Sequence, residues 1–375
     1  MTRAPAQSPV CSPMMPASAP TAEDRAYQDR ILQGVSRTFA LTIPVLPQGL
    51  CEVVGNAYLL CRIADTVEDD AGLSAARQRD FSERFVRVVE GTECAERFSG
   101  DLHPLLAPDT LDAERDLIFN VPKVIRITHG FNANQRRALA RCVRIMAKGM
   151  ADYQMRESLD GLPDLPAMDE YCYFVAGVVG EMLTELFVDY SAEIAAHRER
   201  LMPLAVSFGQ GLQMTNILKD IWEDRRHGAC WLPRDLFLGK GVRLRDLEPG
   251  RDDPGFFEGL SELIGIARGH LDDALSYTLL IPVRDTGIRR FCLWAIGMAI
   301  LTLRKINRHR DFTTGREVKI SRRSVWATVA VGNALVRHDG LLRLAAQLAA
   351  KGLPINRFHD KLTKGGADRL PARGA

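Results

Sequence analysis

The sequence predicts an all-α protein, and three observations carry that expectation. Apolar residues recur at helical spacing over roughly 24–33, 48–68, 75–90, 134–157, 168–190, 200–224, 257–278, 286–306, 322–336 and 338–351. Strand-like alternation is scarce, and no hairpin signal recurs. The breaks carry Gly, Pro or Asp, as at Gly100-Asp101, at Gly161-Leu162-Pro163 and from Gly228 to Pro254. That last stretch is long for a connection inside a compact domain, which makes it a candidate active-site flap. No internal repeat of fixed period is present.

The chain has 375 residues, 46% of them hydrophobic, enough for a large core in one domain or two closely packed ones. A formal net charge of +2 gives no global field that would point to nucleic acid. The leader, residues 1–22, is rich in Pro, Ala, Ser and Met and is expected to be disordered. It lacks the continuous apolar core of a secretory signal. The eight cysteines form no CxxC pair and do not cluster with histidine, so neither a zinc ribbon nor a disulfide framework is expected. The longest apolar run, Phe291 to Leu303, is shorter than the ~18 residues a membrane span needs, and Arg304 and Lys305 follow it. These features predict a cytoplasmic protein, soluble or peripherally attached to membrane. The catalytic part is expected over 23–340, with a C-terminal helix and a loose polar tail over 341–375.

Within the 48–68 helix, the apolar run Ala57, Tyr58, Leu59, Leu60, Cys61, Ile63 and Ala64 leads into Asp65-Thr66-Val67-Glu68-Asp69-Asp70. Asp65, Glu68 and Asp69 fall at i, i+3 and i+4, so their carboxylates share one face. Like charges one turn apart repel, and carboxylates at the end of a mostly buried helix are costly without a cation. A divalent ion resolves both problems, because Mg²⁺ takes oxygen ligands and commonly shares them with substrate phosphates.

About 150 residues on, Asn216, Asp220 and Asp224 fall at i, i+4 and i+8, with Gln213 one turn earlier and apolar Ile217, Leu218 and Ile221 on other faces. A lone acidic cluster reads equally well as a solvated helix face. Two such stripes on apolar helices, opposed across a bundle, suit a set of Mg²⁺ ions held against a diphosphate. Arg62, Lys219, Arg225 and Arg226 lie beside the clusters, and Ser36-Arg37 forms another polar spot ahead of an apolar stretch. Any one such arginine could be a surface ion pair of little energetic worth, but together they suit phosphate binding.

These residues resemble the squalene and phytoene synthase family. The resemblance rests on Ser36-Arg37-Thr38-Phe39-Ala40, on the run from Tyr58 to Asp69, on Tyr171-Cys172-Tyr173-Phe174-Val175-Ala176-Gly177-Val178-Val179-Gly180, and on the run from Gln213 to Asp224 followed by Trp231-Leu232-Pro233. It spans roughly residues 24 to 340. It implies a single-domain helical bundle of the isoprenoid synthase type with a central cavity. Asp-Thr-Val-Glu-Asp and Tyr-Cys-Tyr-x-Val-Ala-Gly look like the squalene-forming branch of the family. That branch joins two farnesyl diphosphates head to head through presqualene diphosphate and then reduces the product with NADPH.

On this resemblance Asp65, Glu68, Asp69, Asn216, Asp220 and Asp224 hold Mg²⁺, while Ser36, Arg37, Arg62, Gln213, Lys219 and Arg225 bind diphosphate. Val318-Lys319-Ile320-Ser321-Arg322 looks like the NADPH-associated segment, with Ser321 where a basic residue is expected; Lys319, Arg322 and Arg323, with Phe291, are the cofactor candidates. A carbocation needs a dry, electron-rich wall, for which Phe39, Tyr58, Tyr171, Phe187, Phe208 and Phe291 are candidates. Tyr171 is expected to assist proton removal or guide the released pyrophosphate. Gly177 and Gly180 would leave room for a prenyl chain or for close contact between helices. Alternatives are a phytoene or dehydrosqualene synthase that omits reduction, a chain-elongating prenyltransferase or terpene cyclase, and a non-catalytic helical protein at a membrane surface.

Overall fold

The computed structural model describes residues 19–36, 38–154 and 157–355. Among these, regular structure is helical throughout, apart from one isolated parallel bridge between Leu162 and Pro233. The all-α expectation holds. Nearly all of the expected leader and the last part of the expected polar tail, 356–375, lie outside the described residues. The chain divides into two compact units, one formed by Met1–Arg37 with Gly55–Ala147 and the other by Thr38–Val54 with Lys148–Ala375.

In the first unit, the Ala22–Val35 helix starts on a capping box. The Thr21 hydroxyl accepts the Asp24 N–H at 3.1 Å, and the Asp24 carboxylate accepts the Thr21 N–H at 2.9 Å. Asp24 also accepts two hydrogen bonds from the Arg126 guanidinium, at 3.1 and 2.6 Å, which tie this helix to Val121–Gly130. Burial pushes the Asp24 carboxyl up, but Arg126 and Thr21 outweigh it and hold the group at about 2. The core contains Tyr27, Leu59, Leu60, Phe85, Phe98, Val124 and Leu139. Within it the fully buried Asn56 amide donates to Gln28 and to the Val124 carbonyl and accepts from the Thr128 hydroxyl.

The expected break at Gly100-Asp101 is not one. Both residues lie in the Ala95–Leu102 helix, which buries Phe98 and Leu102 completely. A helix of two turns offers too few apolar positions for a period to register, and the same holds for Asp112–Phe119.

In the second unit, the long helices Arg198–Arg226, Pro254–Leu280 and Thr286–Arg308 pack on one another. A further helix runs over Leu165–Cys172 and Val178–Tyr190, joined by a π-helical turn at Tyr173–Gly177 in which the Val178 N–H donates to the Tyr173 carbonyl. A Cβ on Gly180 would come within 2.1 Å of the Ala205 carbonyl oxygen, and one on Gly209 within 2.2 Å of the Ala176 oxygen. Gly180 therefore serves backbone-to-backbone contact between helices, and Gly177 sits tight against Tyr173 and Val206. Of the two readings of these glycines, close helix packing is the one the geometry supports.

Two helical stretches, Leu165–Tyr190 and Thr286–Arg308, are long and apolar enough to cross a membrane, which goes beyond the shorter run read from the sequence. Half or more of each apolar window, 50% and 61%, is buried inside the protein, as in core helices of a packed fold. The seven described cysteines form no disulfide with one another.

Candidate active site

The first acidic stripe ends the Gln48–Asp69 helix, whose residues from Gly55 onward belong to the first unit. Asp65 and Glu68 are half-buried, Asp69 is exposed, and the neighbouring Ile63, Ala64 and Val67 fill the core. Burial pushes the Asp65 carboxyl up to about 7; Arg62 opposes the rise, and Asp69 and Glu114 add to it. Arg62 lies 3.6 Å from Glu114 and donates to the Tyr58 hydroxyl at 3.3 Å, while its buried Nε has no hydrogen-bond partner. Burial works against the Arg62 charge, but Asp65, Tyr58 and Glu114 more than restore it. Ser36 is buried, and its N–H closes the preceding helix on the Leu32 carbonyl. Arg37 lies outside the described residues.

The next acid, Asp70, behaves differently. One oxygen accepts the N–H groups of Gly72 and Ala107, both at 2.9 Å, and the other accepts the Thr110 hydroxyl. Asp70 therefore holds a loop, and the stripe proper is Asp65, Glu68 and Asp69.

The second stripe lies on Arg198–Arg226 in the second unit. Asn216 is exposed, Gln213, Asp220 and Asp224 are half-buried, and Met214, Ile217, Leu218 and Ile221 are in the core. Lys219 pairs with Asp220 at 2.9 Å. Burial still raises the Asp220 carboxyl, against the pull of Lys219 and Lys319 and with a push from Glu223. Glu223 accepts the Gly315 N–H at 2.9 and 3.1 Å, and a Cβ on Gly315 would lie 2.9 Å from the Asp220 carboxylate. This close approach brings the Gly315–Val318 turn and Lys319 beside the stripe.

Arg225 is not available as the phosphate ligand its position suggested. Its guanidinium donates to the carbonyls of Leu244 at 2.7 Å, Arg245 at 3.1 Å and Leu247 at 2.9 Å. It ties down the 228–254 stretch, which is packed rather than a free flap: Ala229, Cys230, Leu232, Phe237, Val242 and Leu244 are all buried. The Leu162 N–H donates to the Leu232 carbonyl at 2.9 Å, and the Arg234 N–H to the Leu162 carbonyl at 2.7 Å. Gly161 permits this approach, with φ +82° and a would-be Cβ 2.5 Å from the Leu232 oxygen.

So anchored, Trp231 stacks on Tyr171, with ring centroids 4.2 Å apart and planes 6° from parallel. Tyr153 lies 5.3 Å from Tyr171 on a tilted plane. Tyr171 itself is buried, one residue before the helix changes from α to π at Cys172–Tyr173; such turns recur at functional sites. Trp231 thus joins Tyr171 among the candidate site residues, a contact that the Trp-Leu-Pro motif by itself does not reveal.

The other aromatic candidates fall into separate places. Phe291 contacts Phe39 and Phe187, each with centroids 6.4 Å away. Phe208 packs on Tyr277, and Tyr58 lies under Arg62. Lys305 donates to the Lys319 carbonyl at 2.6 Å. At 1.5 Å per residue, Phe291 lies about 21 Å along the helix from Lys305. Phe291 is therefore not brought to Lys319 as a cofactor contact and packs instead with Phe39 and Phe187. Arg322 and Arg323 are exposed in the first turn of the Arg322–Leu335 helix, where Ser321 caps by accepting the Ser324 N–H. Ser321 thus serves as an N-cap where a basic residue was expected.

No three His, Cys, Asp or Glu side chains among the described residues converge into a ready-made metal cage. Mg²⁺ at such a stripe would need substrate phosphates and water to complete its shell. A half-buried carboxylate short of positive charge, as Asp65 is, is the donor such an ion suits.

A family model for squalene/phytoene synthase matches residues 32–324. The squalene synthase ERG9 of Gibberella zeae is 29% identical over 308 residues, covering 81% of this chain and 63% of the relative. The squalene synthase ERG9 of Candida albicans is 30% identical over 287 residues, covering 75% of this chain and 61% of the relative. The chain thus spans less than two thirds of the length of these curated relatives. Among solved structures, TcSQS with the ligand BPH1237 superposes with a TM-score of 0.70 at 23% identity, covering 94% of each chain. A dehydrosqualene synthase superposes at 0.63 and 20% identity, covering 84% of this chain and 97% of that one.

Proposed function

From the premise that this chain belongs to the squalene/phytoene synthase family, we propose that it is a Mg²⁺-dependent farnesyl-diphosphate farnesyltransferase that forms squalene with NADPH. The observation that carries this reading is the pair of same-face acidic stripes, each on a helix whose other faces are buried and each with a cationic neighbour. The squalene synthase names of the curated relatives support it.

Asp65, Glu68 and Asp69 on one helix, and Asn216, Asp220 and Asp224 on the other, are the residues that hold Mg²⁺. When bound, the metal supplies Lewis-acid stabilisation of the departing pyrophosphate. Arg62, held charged by its carboxylate neighbours, and Lys219 bind diphosphate oxygens, with Ser36, Arg37 and Gln213 as neutral and cationic partners. Lys319, Arg322 and Arg323 bind the phosphates of NADPH, which supplies the hydride that ends the reaction. The stacked pair Tyr171 and Trp231 offers π faces that stabilise positive charge. The Tyr171 hydroxyl takes part in proton removal or guides pyrophosphate. Phe39, Phe187 and Phe291 exclude water from the prenyl chains. The apolar substrate chains and product suit a cytoplasmic protein in transient contact with membrane.

The test is incubation with farnesyl diphosphate and Mg²⁺, with and without NADPH, followed by identification of the hydrocarbon. Squalene formed only with NADPH is the expected result. The same unreduced hydrocarbon in both arms assigns the chain to the dehydrosqualene or phytoene branch, and absence of Mg²⁺-dependent pyrophosphate release leaves a non-catalytic helical protein.

A further inference from the structure

Eleven large apolar side chains are exposed among the described residues, and six of them, Trp326, Val331, Leu341, Leu344, Leu348 and Ile355, lie within 326–355. Their placement is ordered. Leu341, Leu344 and Leu348 fall at i, i+3 and i+7 of the Asp339–Ala349 helix, so they share one stripe. In a soluble protein such a stripe faces the core. Here it faces outward, with the three leucines 48%, 51% and 60% exposed, while Leu342 is the buried leucine of that helix. The preceding Arg322–Leu335 helix shows the same inversion. Trp326 is 67% exposed, and Ala327, Ala330, Val331 and Ala334 are exposed with it.

Charge around these stripes is one-sided. Residues 320–355 contain Arg322, Arg323, Arg337, Arg343 and Lys351, all exposed, against a single acid, Asp339. That acid is neutralised from within, because its carboxylate pairs with the fully buried Arg289. The two helices thus present leucine, tryptophan and alanine together with unopposed cations. This is the composition of helices that lie in the boundary between anionic headgroups and acyl chains.

We propose that the outward faces of Arg322–Leu335 and Asp339–Ala349 dock on an anionic lipid surface, with Trp326, Leu341, Leu344 and Leu348 inserted among the acyl chains and Arg337, Arg343 and Lys351 at the headgroups. The docking rests on the membrane contact of the proposed function and gives it a surface, but it does not depend on catalysis.

The experiment is flotation of the full chain, without substrate, on vesicles of phosphatidylcholine alone and of phosphatidylcholine with about one third phosphatidylglycerol. The wild type floats with the mixed vesicles at least tenfold better than with phosphatidylcholine, and high salt removes the difference. Leu344→Asn/Leu348→Asn lowers flotation at least tenfold while keeping the wild-type circular dichroism spectrum, since both positions are exposed. In the wild type, tryptophan emission shifts to the blue on adding mixed vesicles, and Trp326→Phe loses the shift; this second readout stands even if the double variant misfolds.

No flotation of the wild type, equal flotation on both vesicles, or undiminished flotation of a folded double variant overturns the proposal. So does a self-associated chain that the double variant disperses with no vesicle binding, because the face would then be covered by a second copy. Failure of any of these arms leaves the catalytic reading standing, and a chain without turnover can still pass them.

Discussion

The two acidic stripes look alike in sequence and differ in how the protein compensates them. Asp220 has a lysine 2.9 Å away and a second, Lys319, near enough to lower its pKa, and its neighbour Glu223 accepts a backbone N–H from Gly315. Asp65 has Arg62 as its cation, but burial outweighs that arginine, Asp69 and Glu114 add to the burial effect, and the carboxyl rises to about 7. A third buried carboxylate calibrates the pair: Asp24, with Arg126 and Thr21 donating to it, sits at about 2. Burial alone therefore does not set the state of an acid; the donors that reach it do. Asp65 remains short of positive charge, whereas Asp220 is partly compensated by its lysines, which makes Asp65 the position where an external cation has most to contribute.

The largest test of this contrast is removal of each carboxylate. Asp65→Ala and Asp220→Ala should each lower turnover on the order of 10²–10³-fold or more at saturating Mg²⁺. Denaturant melts should separate them: Asp65→Ala is at least as stable as the wild type, because an uncompensated carboxylate is gone, while Asp220→Ala leaves Lys219 unpartnered and is no more stable. Near-normal turnover in either variant would remove that stripe from the metal site.

Next in size, Gly209→Ala forces a methyl against the Ala176 carbonyl on the helix that carries the second stripe. It should cost about 1–3 kcal/mol or more in unfolding free energy, and an unchanged denaturation midpoint would refute the backbone-contact reading. The Asp24 ion pair follows. Its folded pKa lies below its ordinary value of 3.8, so its contribution, about 2 kcal/mol, is complete above pH 4 and lost as pH falls through 2. Asp24→Asn should remove that acid-limb loss, which equilibrium unfolding between pH 5 and 2 measures. Smallest, Tyr171→Phe keeps the Trp231 stack and removes only the hydroxyl. We expect a loss of about tenfold in one half-reaction, and normal turnover in both would leave Tyr171 a wall residue alone.

Much of the fold was legible because long helices repeat their apolar period several times. The 48–68, 75–90 and 286–306 segments match observed helices to within a residue or two at each end. The short helices between Ala95 and Gly130 were not, since two or three turns cannot establish a period. The stripes were legible because i, i+4 spacing is local. The partner of Tyr171 was not, because Trp231 is sixty positions away and is brought in by backbone hydrogen bonds between Leu162 and Leu232, which any side chains could make. Arg225 misled for a related reason: carbonyl acceptors leave no trace in the sequence, so a guanidinium that serves a loop is indistinguishable from one awaiting phosphate.

The π turn at Tyr173–Gly177 has a consequence for this helix as a rotor. One extra residue in a turn advances everything downstream by about 100° relative to an unbroken α-helix. Upstream of it Tyr171 meets Trp231; downstream of it Gly180 meets the Ala205 backbone. A chain shortened by one residue there would keep its hydrophobicity and its helicity yet lose phase, so that the aromatic stack and the glycine contact could no longer be satisfied by the same rigid rod.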